Sequence, residues 1–481
     1  MTLTPPLPQD VWDALAVEAQ GFFQALRLQN EAMRLQIDAL QGEVQALKTQ
    51  LGTNSRNSSK PPSSDPIHQK RQPPKLPSGK KRGGQPGHQR ATRPLVPPEQ
   101  LHATVTCKPD CCAGCGKALE GSDPQPVRHQ VAEVPPIRPE VVEYQIHRLT
   151  GPGCGATTPA PRPEGVPHGS FGPRLRAMLS LLAGEFRLAK RPVQRLVKNF
   201  LGLDISLGMI AKLERQTAIV LAPVDAELAE AVRVAPWTHI DETPWREAHK
   251  KAWLWIGRGG QATHFRISPH RNAQTARAIL GDDPKKVAIC DRFSAYGWVA
   301  KKQWCWSHLR RDFQAMIDRA DGGSAVGSSL LRWSDRLFWG WHRVAEGELG
   351  WEDLLRWAGA IRSGLRDDLS LGVSCPSLPT AATCRHLLGG EGHLWRFLAG
   401  DGVEPTNNTT ERGLRHGVLW RKSSGGTASV CGSRFVTRLL GVVATCRQQG
   451  RCVLDFLTSC FESSLRSQPV PSLRPRPKLI C

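Results

Sequence analysis

Apolar positions recur every seven residues near the start of the chain. Phe23, Asn30, Ile37, Val44 and Leu51 form one row, and Leu26, Met33, Leu40 and Leu47 form a second three places later. These are the a and d positions of a coiled coil, predicted over 10–52. Asn30 is polar where burial is expected, a device that fixes register and favours two strands, and Glu43 at g is placed to pair with Lys48 at the following e of a parallel partner. The pattern predicts a homodimer or higher oligomer; the alternative is a single amphipathic helix lying on another domain. From 169 to 234 the period is again helical. "RPVQRLVKNFLGLDISLGMIAKLE" has the outline of a helix-turn-helix: a basic helix from Val193 to Phe200, a turn at Gly202, a Ser206 cap and a second helix from Leu207. Such pairs either enter the DNA major groove or pack in ordinary bundles, and the pattern alone does not choose.

Past Pro236 the period changes to two. "WTHID", "KAWLWIGR" and "ATHFRIS" read as three strands, with a break at Pro244; "NAQTARAIL" follows as a helix and "KKVAICD" as a buried strand. The first strand ends on Asp241 and Glu242, the fourth on Asp291. Three strands, a helix and a fourth strand, with acids on the first and fourth, form the skeleton of an RNase H-like fold, whose first part is placed at 235–313. In that skeleton the two acid-bearing strands are neighbours. Like charges so close call for a cation, and hard oxygen ligands suit Mg²⁺ or Mn²⁺. Either acid alone reads as a solvated turn residue. A third carboxylate is needed to hold two ions, and "TNNTTERGLRHGVLWRKSSGG" offers Glu411 in the first turn of a helix capped by the Asn and Thr run. Arg412, Arg415, Arg421 and Lys422 surround it with phosphate-binding charge; the plainer reading is a Glu411–Arg415 helix pair. Residues 314–400 are helical and Trp-rich, an all-α insertion before the core resumes at 401–465, with a tail at 466–481. The insertion's tryptophans are assigned to its core rather than to base stacking.

The 481 residues exceed one ordinary core. With 64 Lys and Arg against 43 Asp and Glu, a net charge of +21 points to a polyanion, most often nucleic acid, over a ribosome-like or membrane-surface partner. Neither a long apolar run nor a signal-peptide pattern is present, so a cytoplasmic protein with no membrane partner is expected. The 14 cysteines then read as reduced thiols, some on a metal. Residues 53–100 form a basic, Pro- and Ser-rich linker predicted to be disordered; its "GKKRGGQPG" lacks the strand and the Lys-Ser/Thr of a phosphate-binding loop. At 101–168, Cys112-x-x-Cys115 and Cys154-Gly155 form a zinc-ribbon-like module for Zn²⁺, with Gly151 where a fourth Cys belongs. Cys107, Cys111 or His147 supplies the fourth ligand, or the ribbon has decayed.

In order along the chain, "HIDETPW", "CDRFSAYGW", "CWSHLRRDF" and "NNTTERGLRHGVLWRKSSGG" resemble the DDE transposases of insertion-sequence family sixty-six, the TnpC type. "NSRNSSKPPSSD", "GGQPGH" and the ribbon-like cysteines resemble the same family, and the likeness runs to "GSRFVTRLLGVVATCRQQG". The resemblance implies an RNase H-like core with Asp241, Asp291 and Glu411 as catalytic acids. It further implies binding to the double-stranded DNA of the element's terminal inverted repeats, dependence on accessory proteins of the same element, and an insertion that shapes the DNA end. Cys305-x-x-His308 resembles a signature found beside the active site of several RNase H-like transposases. It is read as a structural or DNA-contacting element, with Arg310 and Arg311 on phosphates; a plain core His is the alternative. The whole is a multidomain α+β chain: coiled coil, zinc-ribbon-like module, helix-turn-helix-like helical domain and an RNase H-like α/β core interrupted by an all-α insertion. Its expected chemistry is two-metal phosphodiester hydrolysis at each element end, then transesterification into target DNA. A catalytically inactive DNA-binding protein derived from a transposase, or an RNase H-like repair or junction nuclease, are the rival readings.

Overall fold

The computed structural model describes residues 8–54, 56–58, 93–319, 321–400 and 402–474; most of the basic linker, from 59 to 92, lies outside them. The chain divides into two compact units. The larger holds the described residues of Met1–Ile67, Ile146–Val193 and Ser206–Cys481, the smaller those of His68–Gln145 and Gln194–Ile205. No helix among the described residues is long and apolar enough to cross a membrane.

A short helix α1 (Gln9–Asp13) precedes α2 (Val17–Gly52), a single helix of 36 residues. Its heptad rows face solvent: Leu26, Met33, Ile37, Leu40, Val44, Leu47 and Leu51 are all exposed. A two-stranded ribbon, β1 (Arg148–Thr150) and β2 (Thr157–Pro159), leads to the helices α3 (Pro173–Ala183), α4 (Lys190–Leu201), α5 (Leu207–Val220) and α6 (Ala222–Val234). Gly202 takes φ +66° after α4, and the Ser206 hydroxyl accepts the Met209 N–H to cap α5.

The centre of the larger unit is a five-stranded mixed sheet. Its strands are β3 (Trp237–Glu247), β4 (Lys250–Gly259), β5 (Ala262–Ser268), β6 (Val287–Cys290) and β7 (Lys301–Trp304), in the order β5-β4-β3-β6-β7. The first three are antiparallel hairpin neighbours; α7 (Ala273–Leu280) then carries the chain across to β6, which lies parallel to β3 and to β7. Four apolar residues, Val287 to Cys290, are buried on both faces, as a parallel central strand requires.

The expected break at Pro244 does not occur. β3 runs unbroken to Glu247 because β6 pairs with it only from Trp237 to His239. Beyond that point the far side of β3 is an edge, where a residue without an N–H costs no ladder bond. Asp241 is consequently a mid-strand residue and not a turn residue.

After β7 come four helices, α8 (Trp306–Asp318), α9 (Ser324–Ala345), α10 (Trp351–Val373) and α11 (Leu378–Gly389), packed in sequence around Leu330, Leu337, Ile361, Leu365 and Leu387. Two of their tryptophans are not core, contrary to expectation: Trp339 and Trp357 stack on one another at 5.3 Å and remain exposed, with Arg343 over Trp339. The chain returns to the sheet as α12 (Asn408–Ser424), and α13 (Val430–Gln448) and α14 (Val453–Leu465) complete the core against β5, α3 and α5.

Candidate active site

Cross-strand partners share a face of a sheet, and successive residues alternate. Asp241 pairs with Ile256 and Thr243 with Leu254, so these four share one face. Helix α12 lies on that face. It comes close because Gly413 and Gly417 carry no side chain there: a Cβ on Gly417 would stand 2.2 Å from Leu254, and one on Gly413 2.6 Å from Ile256. Glu411, in the first turn of α12, is thereby brought to the Asp241 side. Glu242 points the other way, toward Trp255 and Tyr296. The register of β3 on β6, with His239 opposite Ile289, sets Asp241 level with Asp291, the residue after β6.

The consequence is electrostatic. The Asp241 carboxyl is pushed well above the ordinary carboxylate range, first by burial and then by the charges of Glu242, Asp291 and Glu411. Its Oδ1 accepts the Glu242 N–H at 2.8 Å, and Asp291 Oδ1 accepts the Phe293 N–H at 2.9 Å; both bonds orient without neutralising. Glu411 has His308 Nδ1 at 3.7 Å and Arg311 at 3.5 Å, both long, and its Oε1 is buried with no hydrogen-bond partner among the described residues.

Around these acids lie residues that sequence reasoning did not single out. Arg271 donates to Glu242 at 2.7 Å while stacking on Phe293 at 3.7 Å, and the Tyr296 hydroxyl also donates to that carboxylate. Glu242 is thus a satisfied core acid, although burial and Asp291 still raise its pKa. Arg292 bonds Asp312 at 2.6 Å and lies 3.1 Å from His386, tying the Asp291 loop to α8 and α11. Asn407 is fully buried: its amide donates to the Ile240 carbonyl at 2.8 Å, its Oδ1 lies 3.1 Å from His239 Nδ1, and its N–H donates to Cys305 Sγ at 3.1 Å. The Asn and Thr run was expected to cap α12; Asn407 stands at the N-cap, but its side chain makes no cap bond and pins the helix to β3. The cue was the run of two asparagines, one more than a cap needs.

Cys305 is the N-cap residue just before α8, and His308 lies in the first turn of that helix. Burial pushes the Cys305 thiol up to about 11, while backbone N–H groups of Asn407, His308 and Ser307 act in the opposite direction. Among the described residues, Cys305, His308 and Glu411 are the one group of three metal-ligating side chains whose ligand atoms lie within 4.8 Å of one another.

The basic residues divide. Arg310 is committed to α9, through Ser334 at 2.7 Å and Asp335 at 2.6 Å, and Arg421 donates to the Pro244 carbonyl. Arg412, Arg415 and Lys422 are exposed, and Arg311 faces Glu411.

Two turns outside this site share one geometry. In the smaller unit, Cys112 N–H bonds the Lys117 carbonyl and Gly116 N–H the Cys112 carbonyl, both at 2.8 Å. In the larger, Gly151 N–H bonds the Ala156 carbonyl and Gly155 N–H the Gly151 carbonyl, both at 2.9 Å. Gly116 and Gly155 take φ +73° and +68°. The Cys112 thiol is lowered by the N–H groups of Gly114 and Cys115, then by the Cys115 side chain. A Cβ on Gly151 would meet Cys154 Sγ at 3.1 Å. The second turn repeats the backbone of the first and keeps one thiol, Cys154, with Gly151 in the place of Cys112.

These features define a multidomain α+β protein with a carboxylate-lined site on a mixed sheet. The sequence model of the family described as Transposase IS66 family matches residues 168–434, more than half of the chain, and the chain belongs to that family. A family of unknown function matches residues 4–94. An uncharacterized protein, y4qI, of Sinorhizobium fredii is 24% identical over 402 residues, which cover 76% of this chain and 72% of that protein.

Proposed function

We propose that the chain is an active DDE transposase whose RNase H-like core uses Asp241, Asp291 and Glu411 to cleave the terminal inverted repeats of its element and join them to target DNA. The strand order, three antiparallel strands followed by two parallel ones on the side of the first, supports that fold. The observation that carries the chemistry is the setting of Asp241: a carboxyl raised first by burial and then by the charges of Glu242, Asp291 after β6 and Glu411 of α12, a place that a cation would relieve. Hard oxygen donors, mutual repulsion and the partnerless Glu411 Oε1 fit a pair of Mg²⁺ or Mn²⁺ ions held by these three side chains. Such ions, when bound, supply an activated hydroxyl nucleophile and stabilise the leaving oxygen.

The remaining roles belong to the chain's own groups. Asn407 and the α12 glycines hold Glu411 to the sheet, the Glu242–Arg271–Tyr296 cluster braces the strand beneath Asp241, and Arg292 with Asp312 holds the Asp291 loop. Exposed Arg412, Arg415 and Lys422 on α12 meet DNA phosphates beside the acids, with Arg311 on the strand being cut. The helix pair α4–α5 and a zinc-bearing ribbon add end recognition, α2 makes a homodimer, and accessory proteins of the same element assist.

The test is cleavage of inverted-repeat DNA. Wild type nicks it only with Mg²⁺ or Mn²⁺; Asp241→Asn binds the same DNA with cleavage reduced ~10²–10³-fold or more, the scale of losing a key electrostatic contributor. Binding without any wild-type cleavage indicates a silent, transposase-derived binding protein, and preference for branched duplexes over inverted repeats indicates a junction nuclease.

A further inference from the structure

We propose that Cys305, His308 and Glu411 form a second metal site, for a thiophilic divalent cation such as Zn²⁺, which removes Glu411 from the catalytic set and so switches the enzyme off. The regulatory half rests on the function proposed above; the metal site itself does not.

The three ligand atoms lie within 4.8 Å of one another. A cation central to such a triangle is no more than about 2.8 Å from each atom, against ideal Zn–S and Zn–N distances of about 2.3 and 2.0 Å, so closure needs shifts of no more than about 0.5 Å for the sulfur and about 0.8 Å for the nitrogen. The sulfur already has one donor: the Asn407 N–H bonds to it at 3.1 Å. A thiolate on a metal is commonly supported by such N–H donors. The other two ligands are waiting: His308 Nδ1 and Glu411 Oε1 are both buried, both without a hydrogen-bond partner among the described residues, and at 3.7 Å too far apart to satisfy one another. Sulfur and imidazole select Zn²⁺-like ions over Mg²⁺. On binding, the Cys305 S–H proton leaves to solvent and a metal–sulfur bond forms, with no change of oxidation state. Glu411 is the one residue shared with Asp241 and Asp291, so a soft ion here leaves the hard site one carboxylate short.

The full chain carrying Cys112→Ser, Cys115→Ser and Cys154→Ser, which removes the ribbon thiols, is titrated with Co²⁺ as a visible stand-in for zinc. The expected result is a thiolate-to-cobalt charge-transfer band that disappears in Cys305→Ala. The apparent Co²⁺ affinity should fall at least ~10-fold in His308→Gln and in Glu411→Gln, each checked for folding by circular dichroism. The absence of a band in the parent, or a band that persists unchanged in both His308→Gln and Glu411→Gln, overturns the site. In the activity arm, Zn²⁺ added to Mg²⁺-driven cleavage should inhibit, and the half-inhibiting concentration should rise at least ~10-fold in His308→Gln, scored against that variant's own zinc-free rate. Inhibition of His308→Gln at the wild-type zinc concentration overturns the switch. A wild type that shows the cobalt band but never cleaves overturns the proposed function and leaves the site standing. One that cleaves but shows no band does the reverse.

Discussion

Asp241 carries a charge that the metal-free fold resists, and this gives its protonation a definite sign. A raised carboxyl pKa means that the folded chain binds the proton more tightly than the unfolded chain. Its contribution to metal-free stability is therefore greatest in acid and is lost as pH rises through the folded pKa. Asp241→Asn should raise the Tm measured in chelator at neutral pH, by about 2–4 °C for each kcal/mol of repulsion relieved, and abolish the Tm gain that Mg²⁺ gives wild type. A Tm that drops in chelator, or an intact Mg²⁺ response, would contradict a cation site at this carboxylate. That Asp241, Asp291 and Glu411 come near one another was legible in the order of strands and helices, although Asp241 lies in mid-strand and not at a strand end. Glu242 was not separable from Asp241, since only the strand's alternation and the reach of Arg271 and Tyr296 decide which acid faces the site. Asn407 was misread for a related reason: its partners Ile240 and Cys305 are remote in sequence, and cap statistics describe only near neighbours.

Helix α12 shows how an element delivers a residue. Its Gly413 and Gly417 are one turn apart on the face against β4, and the "GG" beyond its end serves the same docking. Gly426 takes φ +116° under the Arg246 carbonyl, where a Cβ would stand 2.2 Å from that oxygen, and Thr427 then bonds β3 from its backbone. Two effects compete when Gly417 is replaced. A helix interior gains about 1 kcal/mol on losing glycine, but a side chain here drives into Leu254, which is fully buried and has nowhere to go. Gly417→Val should lose about 1–3 kcal/mol in urea melts and depress cleavage through the displacement of Glu411. Gly359→Ala, on an exposed face of α10 with nothing within 4 Å, should instead gain up to about 1 kcal/mol. A neutral Gly417→Val would show that α12 does not depend on this contact. Strand and helix positions were readable from period, and the strand order followed from the hairpins and the crossover. The length of β3 was not, because Pro244 is permitted only by where β6 stops pairing.

At the scale of the molecule, two features remain unspent by a single chain: the positive charge and the apolar stripe of α2. A 36-residue helix is about 54 Å long, and rows of Leu, Ile, Val and Met facing water along it constitute a surface that a second copy covers at no cost in new structure. In the dimer proposed above, Asn30 in an a position would favour two parallel strands over larger bundles, because one pair of amides can satisfy itself across a dimer seam. A dimer also suits the proposed task, since each element has two ends and each subunit brings one set of acids. Sedimentation velocity should give a dimer for wild type and a monomer for Leu40→Glu with Leu47→Glu, which bury like charges in adjacent d layers. Cleavage of a single isolated end need not suffer in that monomer, whereas joining of two ends in one complex should fail. Both activities should weaken steeply with salt, as expected of a chain with a net charge of +21 that binds phosphates. A double variant that remains dimeric would place the contact between subunits elsewhere and leave the α2 stripe to a different partner.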